Sequence, residues 1–283
     1  MTPNGPVIKT PREVAPTSEA TPRSPPFVPD HQLLRQIGGG SYGEVWLARN
    51  VMGTYRAVKI VYRQTFQNER PFEREFSGIQ KFEPISRTHE GLVDILQIGR
   101  NDPAGYFYYV MELADDCSET QIPKSEIRNW ESYAPKTIRT EISRRGRLPF
   151  DECLQLSLSL TAALGHLHEG GLVHRDIKPS DIIFVNGLPK LADIGLVAQV
   201  GEAKSYVGTE GFIPPEGPGT AQADLYSLGK VLYEIATGKD RQNFPEPPTL
   251  LEEFADRNLF LELNEVIIKA CETDLRSRYH SAE

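Results

Sequence analysis

Cysteine is scarce in this 283-residue chain: Cys117, Cys153 and Cys271 stand far apart and form no CxxC pair. Their spacing offers neither a zinc site nor a disulfide framework and fits a reducing, intracellular compartment. No run of 18 or more apolar residues occurs, so no transmembrane helix is expected. The N-terminus, MTPNGPVIKTPREVAPTSEATPRSPP, lacks the apolar core of a signal peptide. Excess positive charge is missing too. With a formal charge of −8, nucleic acid, an anionic membrane surface and an acidic substrate are disfavoured as main partners, and a cytoplasmic protein is expected. Nowhere is there a G-x-x-x-x-G-K-[ST] run, which excludes a P-loop.

What is present is ordinary globular material, 39% hydrophobic and 25% charged, enough for one large domain or two lobes. Residues 1–30 are rich in Pro, Thr and Ser, balance three basic against three acidic side chains, and show no hydrophobic period. They read as a disordered tail, which leaves the net charge on 31–283. From HQLLRQIGGGSYGEVWLARN to YRAVKIVYR, short β-rich runs separated by glycines predict antiparallel hairpins. A charged helical segment over 66–82 follows, then two strands in LVDILQIGR and YFYYVMEL. From 149 the pattern turns helical: Leu156, Leu160, Ala163, Leu164 and Leu167 fall on one face. The fold class is therefore α+β, a β-rich front joined to an α-rich back.

Gly38, Gly40 and Gly43 form a G-x-G-x-x-G-x-V run. In a Rossmann unit such glycines open a helix, but here Glu44-Val45-Trp46-Leu47 continues as a strand, which favours a hairpin whose amides cover phosphates. Lys59, sixteen residues after Gly43, lies in the β-type run AVKI and points away from the face of Val58 and Ile60. A solvated strand lysine fits this pattern. A phosphate-holding lysine fits it only with a carboxylate on a nearby helix. Among Glu69, Glu73, Glu75 and Glu83, Glu75 is preferred, because one turn on lies Ile79, whereas the same step from the others reaches Glu73, Ser77 and Arg87. Further on, HRDIKPSDIIF supplies Asp176 and Lys178, and LADIG supplies Asp193. Two carboxylates in adjacent loops with a lysine between them suit a divalent cation and a transferring phosphoryl group.

These motifs, in this order, resemble the eukaryotic-type protein kinases over nearly all of 31–283, with DIG in place of the usual DFG and GTEGFIPPE in the position of an APE motif. HRDIKPS resembles Ser/Thr-specific members, and the phrasing looks bacterial. The resemblance implies a bilobal fold, with 31–113 as N-lobe and hinge and 114–283 as a C-lobe that stops short of its final helix. A continuation beyond 283, carrying a membrane span or sensor domain, is expected. By resemblance, Lys59 pairs with Glu75 and the α/β phosphates of ATP, and Asp176 accepts the proton of a substrate Ser/Thr hydroxyl. Lys178 neutralises the γ-phosphate, Thr209 supports Asp176, and Asp193 binds Mg²⁺ or Mn²⁺. Met111 is the gatekeeper, Glu112 and Leu113 form the adenine-binding hinge, and Val45, Ala57 and Ile183 sandwich the base under the cover of Gly38, Gly40 and Gly43. Glu216 pairs with Arg278, and Asp224 anchors the catalytic loop. A protein substrate and a dimer for autophosphorylation follow, with Ser205 the expected phosphosite for Arg175.

Position 181 departs from the family. Asp181 stands where an Asn would give one oxygen to the metal and an NH₂ to the loop backbone; Asp keeps the ligand, loses the donor and adds charge near Asp176 and Asp193. An active Ser/Thr kinase and a nucleotide-binding pseudokinase with a regulatory role both fit. The segment 115–134 reads as a loop insertion, and Arg139, Arg144, Arg145 and Arg147 as a solvated helix face or a receiver of acidic substrate.

Overall fold

The computed structural model describes residues 25–40, 43–118, 130–194, 198–199, 208–249, 251–253 and 255–282. The β-rich front is one antiparallel sheet made of β1 (His31–Gly40), β2 (Gly43–Asn50), β3 (Tyr55–Tyr62), β4 (Ile95–Asn101) and β5 (Tyr106–Met111), in the order β1-β2-β3-β5-β4. Two hairpins set its register, placing Lys59 opposite Val45 on one side and Tyr109 on the other. Gly43 is needed at the first turn: a Cβ there would lie 2.1 Å from the carbonyl oxygen of Ile60.

Strand alternation gives the sheet two apolar faces. The inner face, with Leu47, Ala57, Val61, Phe107, Tyr109 and Met111, joins the main core beneath helix α1 (Glu69–Ser86). The helix starts and ends later than the 66–82 expected, because Phe82 and Ile85 pack into the core and carry it past Pro84. The outer face holds Val58, Ile60, Tyr106, Tyr108 and Val110 and is closed by Val28, which is 2% exposed. Val28 lies inside the stretch expected to be a tail, and the Tyr106 hydroxyl donates to the Phe27 carbonyl at 2.8 Å, so the fold takes in residues before 31.

The α-rich back consists of α2 (Ile138–Arg145), α3 (Phe150–Glu169), α4 (Ala221–Thr237) and α5 (Arg257–Ala270). Reciprocal bonds between Thr137 and Thr140 cap α2; Thr220 caps α4, which ends on the left-handed Gly238. Helix α3 buries Leu156, Leu160, Ala163, Leu164 and Leu167, the face its spacing predicted. Short ladders pair β6 (Leu172–Val173) with β9 (Ala198–Gln199) and β7 (Ile182–Val185) with β8 (Leu188–Leu191). No helix among the described residues is long and apolar enough to cross a membrane.

The four arginines expected on a solvated face are all engaged: Arg139 with Glu234, Arg144 with Glu141, Arg145 with Glu141 and Glu152, and Arg147 with Asp256. They hold α2 to its surroundings and are not a free basic patch. The Arg278 side chain is fully buried and donates to Glu216 at 2.5 Å, as expected, and also to the Glu272 and Gln222 carbonyls. Glu216→Ala strands that guanidinium with only carbonyl partners, so urea denaturation should show a loss of about 2 kcal/mol.

Candidate active site

The site forms where the inner face of the sheet meets the loops that follow β6 and β8. Asp224, on α4 and fully buried, organises the first loop: its carboxylate accepts from the backbone N–H of His174 at 2.7 Å and of Arg175 at 2.8 Å, with His168 Nε2 2.9 Å away. Arg175 adopts a left-handed backbone, φ 76°, which the two bonds fix. Beyond that bend Asp176 faces the cleft. Its Oδ1 accepts from both the backbone N–H and the hydroxyl of Thr209, at 2.8 Å each, and its Oδ2 accepts from Lys178. Thr209 thus stands where the sequence placed it. Arg175 itself is 3% exposed, and Ser205, its expected phosphate donor, lies outside the described residues.

Lys178 also reaches Asp181, with Nζ 2.8 Å from Oδ2. The other oxygen, Oδ1, accepts from the Ser180 hydroxyl at 2.9 Å. Burial pushes the Asp181 carboxyl up to about 8, with the Asp193 charge adding to the shift and Lys178 opposing it. For Lys178, burial acts against the charge, but Asp181 and then Asp176 outweigh it and raise the ammonium above its usual range. Lys178 therefore offsets only part of what burial costs a charge at 181.

Lys59 is buried on the inner face, not a solvated strand residue. Its ammonium donates to Asp193, which the left-handed backbone at φ 53° turns toward β3. Around Asp193 burial acts to raise the carboxyl, yet the Lys59 charge and hydrogen bond hold it below the ordinary carboxylate range. Burial likewise opposes the Lys59 charge, and Asp193 more than restores it.

Glu75 sits on the buried face of α1 with Phe72, Ile79 and Phe82, whereas Glu69, Glu73 and Glu83 are taken by Arg63, Arg100 and Arg87. The expected Lys59–Glu75 ion pair is nevertheless not formed: Lys59 is turned to Asp193, and Glu75 Oε2 is buried without a hydrogen-bond partner. Burial pushes this carboxyl up to about 7, Lys59 lowering it only in part, so the neutral form competes with the charged one.

Val45, Ala57, Met111, Leu113 and Ile183, the residues expected around adenine, all belong to or pack on the main core. Gly38 and Gly40 pair with Val45 and Gly43 at the turn end of the first hairpin. The Glu112 side chain is engaged elsewhere: Oε2 accepts from Lys190 at 2.6 Å and from the Asp94 N–H at 3.1 Å. Asp115 closes the connector, accepting from Asn186 and Gly187 N–H at 2.8 Å each. Ile194 is buried in the main core, where its apolar volume substitutes for a ring. Arg35, His168, Lys190 and Tyr109 also belong to the site or its supports; Arg35 reaches the Tyr133 carbonyl across the cleft. Of the 115–134 segment, 119–129 lie outside the described residues, while Tyr133 is buried with its hydroxyl on the Ala114 carbonyl.

Lys59 on β3 and Asp176, Lys178 and Asp193 in the loops thus come together below the first hairpin, and the protein kinase domain family matches residues 31–263. The chain belongs to that family. It is 28% identical over 277 residues to a protein described as a probable serine/threonine-protein kinase in Clostridium perfringens, covering 89% of this chain and 37% of that one. It is also 28% identical to serine/threonine-protein kinase PrkC of Bacillus subtilis, over 74% of this chain and 30% of the relative. A third similarity, at 30%, is to PknA of Corynebacterium glutamicum, over 74% of this chain and 43% of that one. The chain thus spans well under half the length of these relatives. Members of the family use ATP and a divalent cation.

Proposed function

We propose that this chain transfers the γ-phosphoryl group of ATP to Ser or Thr hydroxyls of a protein substrate. The observation that carries the reading is Asp176, held by two bonds from Thr209 with its second oxygen on Lys178. A carboxylate fixed in this way can orient an incoming hydroxyl and accept its proton. Lys178, moving from Asp176 to the transferring group, neutralises charge there; Lys59, leaving Asp193, holds the α/β phosphates.

Asp181 and Asp193 would hold the divalent cation, and both are hard oxygen donors suited to Mg²⁺ or Mn²⁺. The buried Asp181 Oδ2, whose one charged neighbour is the displaceable Lys178 ammonium, fits that role. When bound, the cation supplies neutralising charge between phosphates. Lys59 and Lys178 pair with these two carboxylates.

The second reading, a nucleotide-binding pseudokinase, is favoured by Asp181 alone, since Lys178 is drawn to it at 2.8 Å. A radiolabelled transfer assay in Mg²⁺ and then Mn²⁺, on this chain and on Asp181→Asn, separates the two. Transfer is expected from both, with Asp181→Asn faster by up to about tenfold, equivalent to about 1.4 kcal/mol of barrier, as Lys178 is released. No transfer from either protein, with nucleotide still bound, overturns the kinase reading.

A further inference from the structure

The sequence YFYYVMEL places two tyrosines side by side on β5, and alternation sends them to opposite faces. Tyr108 faces outward, in the cluster with Val58 and Ile60, and its hydroxyl accepts from Gln97 at 3.3 Å. Tyr109 faces inward, 1% exposed, in the main core.

In the β3–β5 ladder Tyr109 is the direct partner of Lys59, so the two side chains leave neighbouring strands on the same face. Glu75 approaches that face from α1. The charges of Lys59, Asp193 and Glu75 all act on the phenol, which burial and the two carboxylates keep protonated. Yet Glu75 Oε2 is buried without a hydrogen-bond partner, and the buried Tyr109 hydroxyl finds no acceptor for its proton, since its charged neighbour Lys59 can only donate to it. A phenylalanine would fill the same volume without stranding a hydroxyl. The two groups both act on Lys59 and are complementary to each other, a donor and an acceptor.

We infer that Tyr109 is a positioning residue: when Lys59 leaves Asp193, the Tyr109 hydroxyl donates to the Glu75 carboxylate and fixes it as the partner that aims Lys59 at the nucleotide phosphates. This rests on the kinase reading above. It adds to that reading the group that satisfies Glu75. Tyr109 touches neither substrate nor transferred group; it acts through Glu75 and Lys59.

The test uses the whole chain and three variants, Tyr109→Phe, Glu75→Gln and the double variant, with Tyr108→Phe as the control on the outer face. ATP affinity is measured by displacement of a fluorescent nucleotide, KM and kcat by transfer, and the unfolding temperature without nucleotide. Tyr109→Phe should weaken ATP affinity and raise KM about tenfold, the range of one hydrogen bond to a charged group, with a smaller change in kcat and no fall in unfolding temperature. The double variant should be no weaker than Glu75→Gln alone, because both remove the same interaction. Tyr108→Phe should leave ATP affinity unchanged.

Unchanged affinity in Tyr109→Phe, additive losses in the double variant, or a weakened affinity that tracks a lower unfolding temperature would each overturn the inference. If the parent chain transfers no phosphate, the kinase reading fails, while the affinity comparison still decides the role of Tyr109.

Discussion

Asp176→Asn should slow phosphoryl transfer to a protein hydroxyl by about 10³-fold, within the span of a lost general base, with KM for ATP unchanged. The amide is nearly the same size and still offers an oxygen to the Thr209 N–H and hydroxyl, now at 2.8 Å from Oδ1, so the loop should keep its shape. What disappears is the anion that takes the proton and the charge facing Lys178. Single-turnover transfer, read beside ATP binding on the same protein, checks this. A loss below tenfold would remove Asp176 from the role of base.

Asp224→Ala should be the most destabilising single change at the site. Three contacts end on one fully buried carboxylate, two of them from the backbone N–H groups of His174 and Arg175. Removing it leaves both donors without an acceptor, at about 1–3 kcal/mol each, so a total near 4 kcal/mol is expected. Against the ~5–15 kcal/mol available to a folded domain, that is a large share. Asp224→Asn should recover only part, since one acceptor atom becomes a donor facing a donor. Urea denaturation measures both. A loss under 1 kcal/mol for the alanine variant would mean that the bend at Arg175 is held by something else.

Much of this was legible where chemistry is local. The strand and helix periods placed the sheet and α3, the glycine run placed the first turn, and the apolar step from Glu75 to Ile79 picked the right glutamate for the buried face. Legibility failed where a long side chain chooses between partners. Lys59 has two carboxylates to choose from, and its turn toward Asp193 depends on a left-handed backbone at a non-glycine residue that no spacing rule signals.

The arginines near α2 read as one charged face because sequence shows only their proximity; Arg147 finds Asp256 more than a hundred residues away. Tyr109 was hidden for the opposite reason. In a run as aromatic as YFYYVM, a functional hydroxyl looks the same as strand filler. Val28 was hidden by composition, since one valine among prolines gives no period, yet the bare outer face of the sheet supplies the partner it needs.

The connector between sheet and helices is fastened at both ends. Glu112 is tied to Asp94 and to Lys190 on β8, and Asp115 is tied to the turn between β7 and β8 while exchanging backbone bonds with Phe184 and Lys136. Mechanically this is a riveted plate, not a strap. Any swing of one half of the molecule against the other must be taken up in the dihedral angles of Leu113 and Ala114, about 7 Å of chain. Those two residues are themselves buried, Leu113 in the main core, so any such swing must also repack what surrounds them.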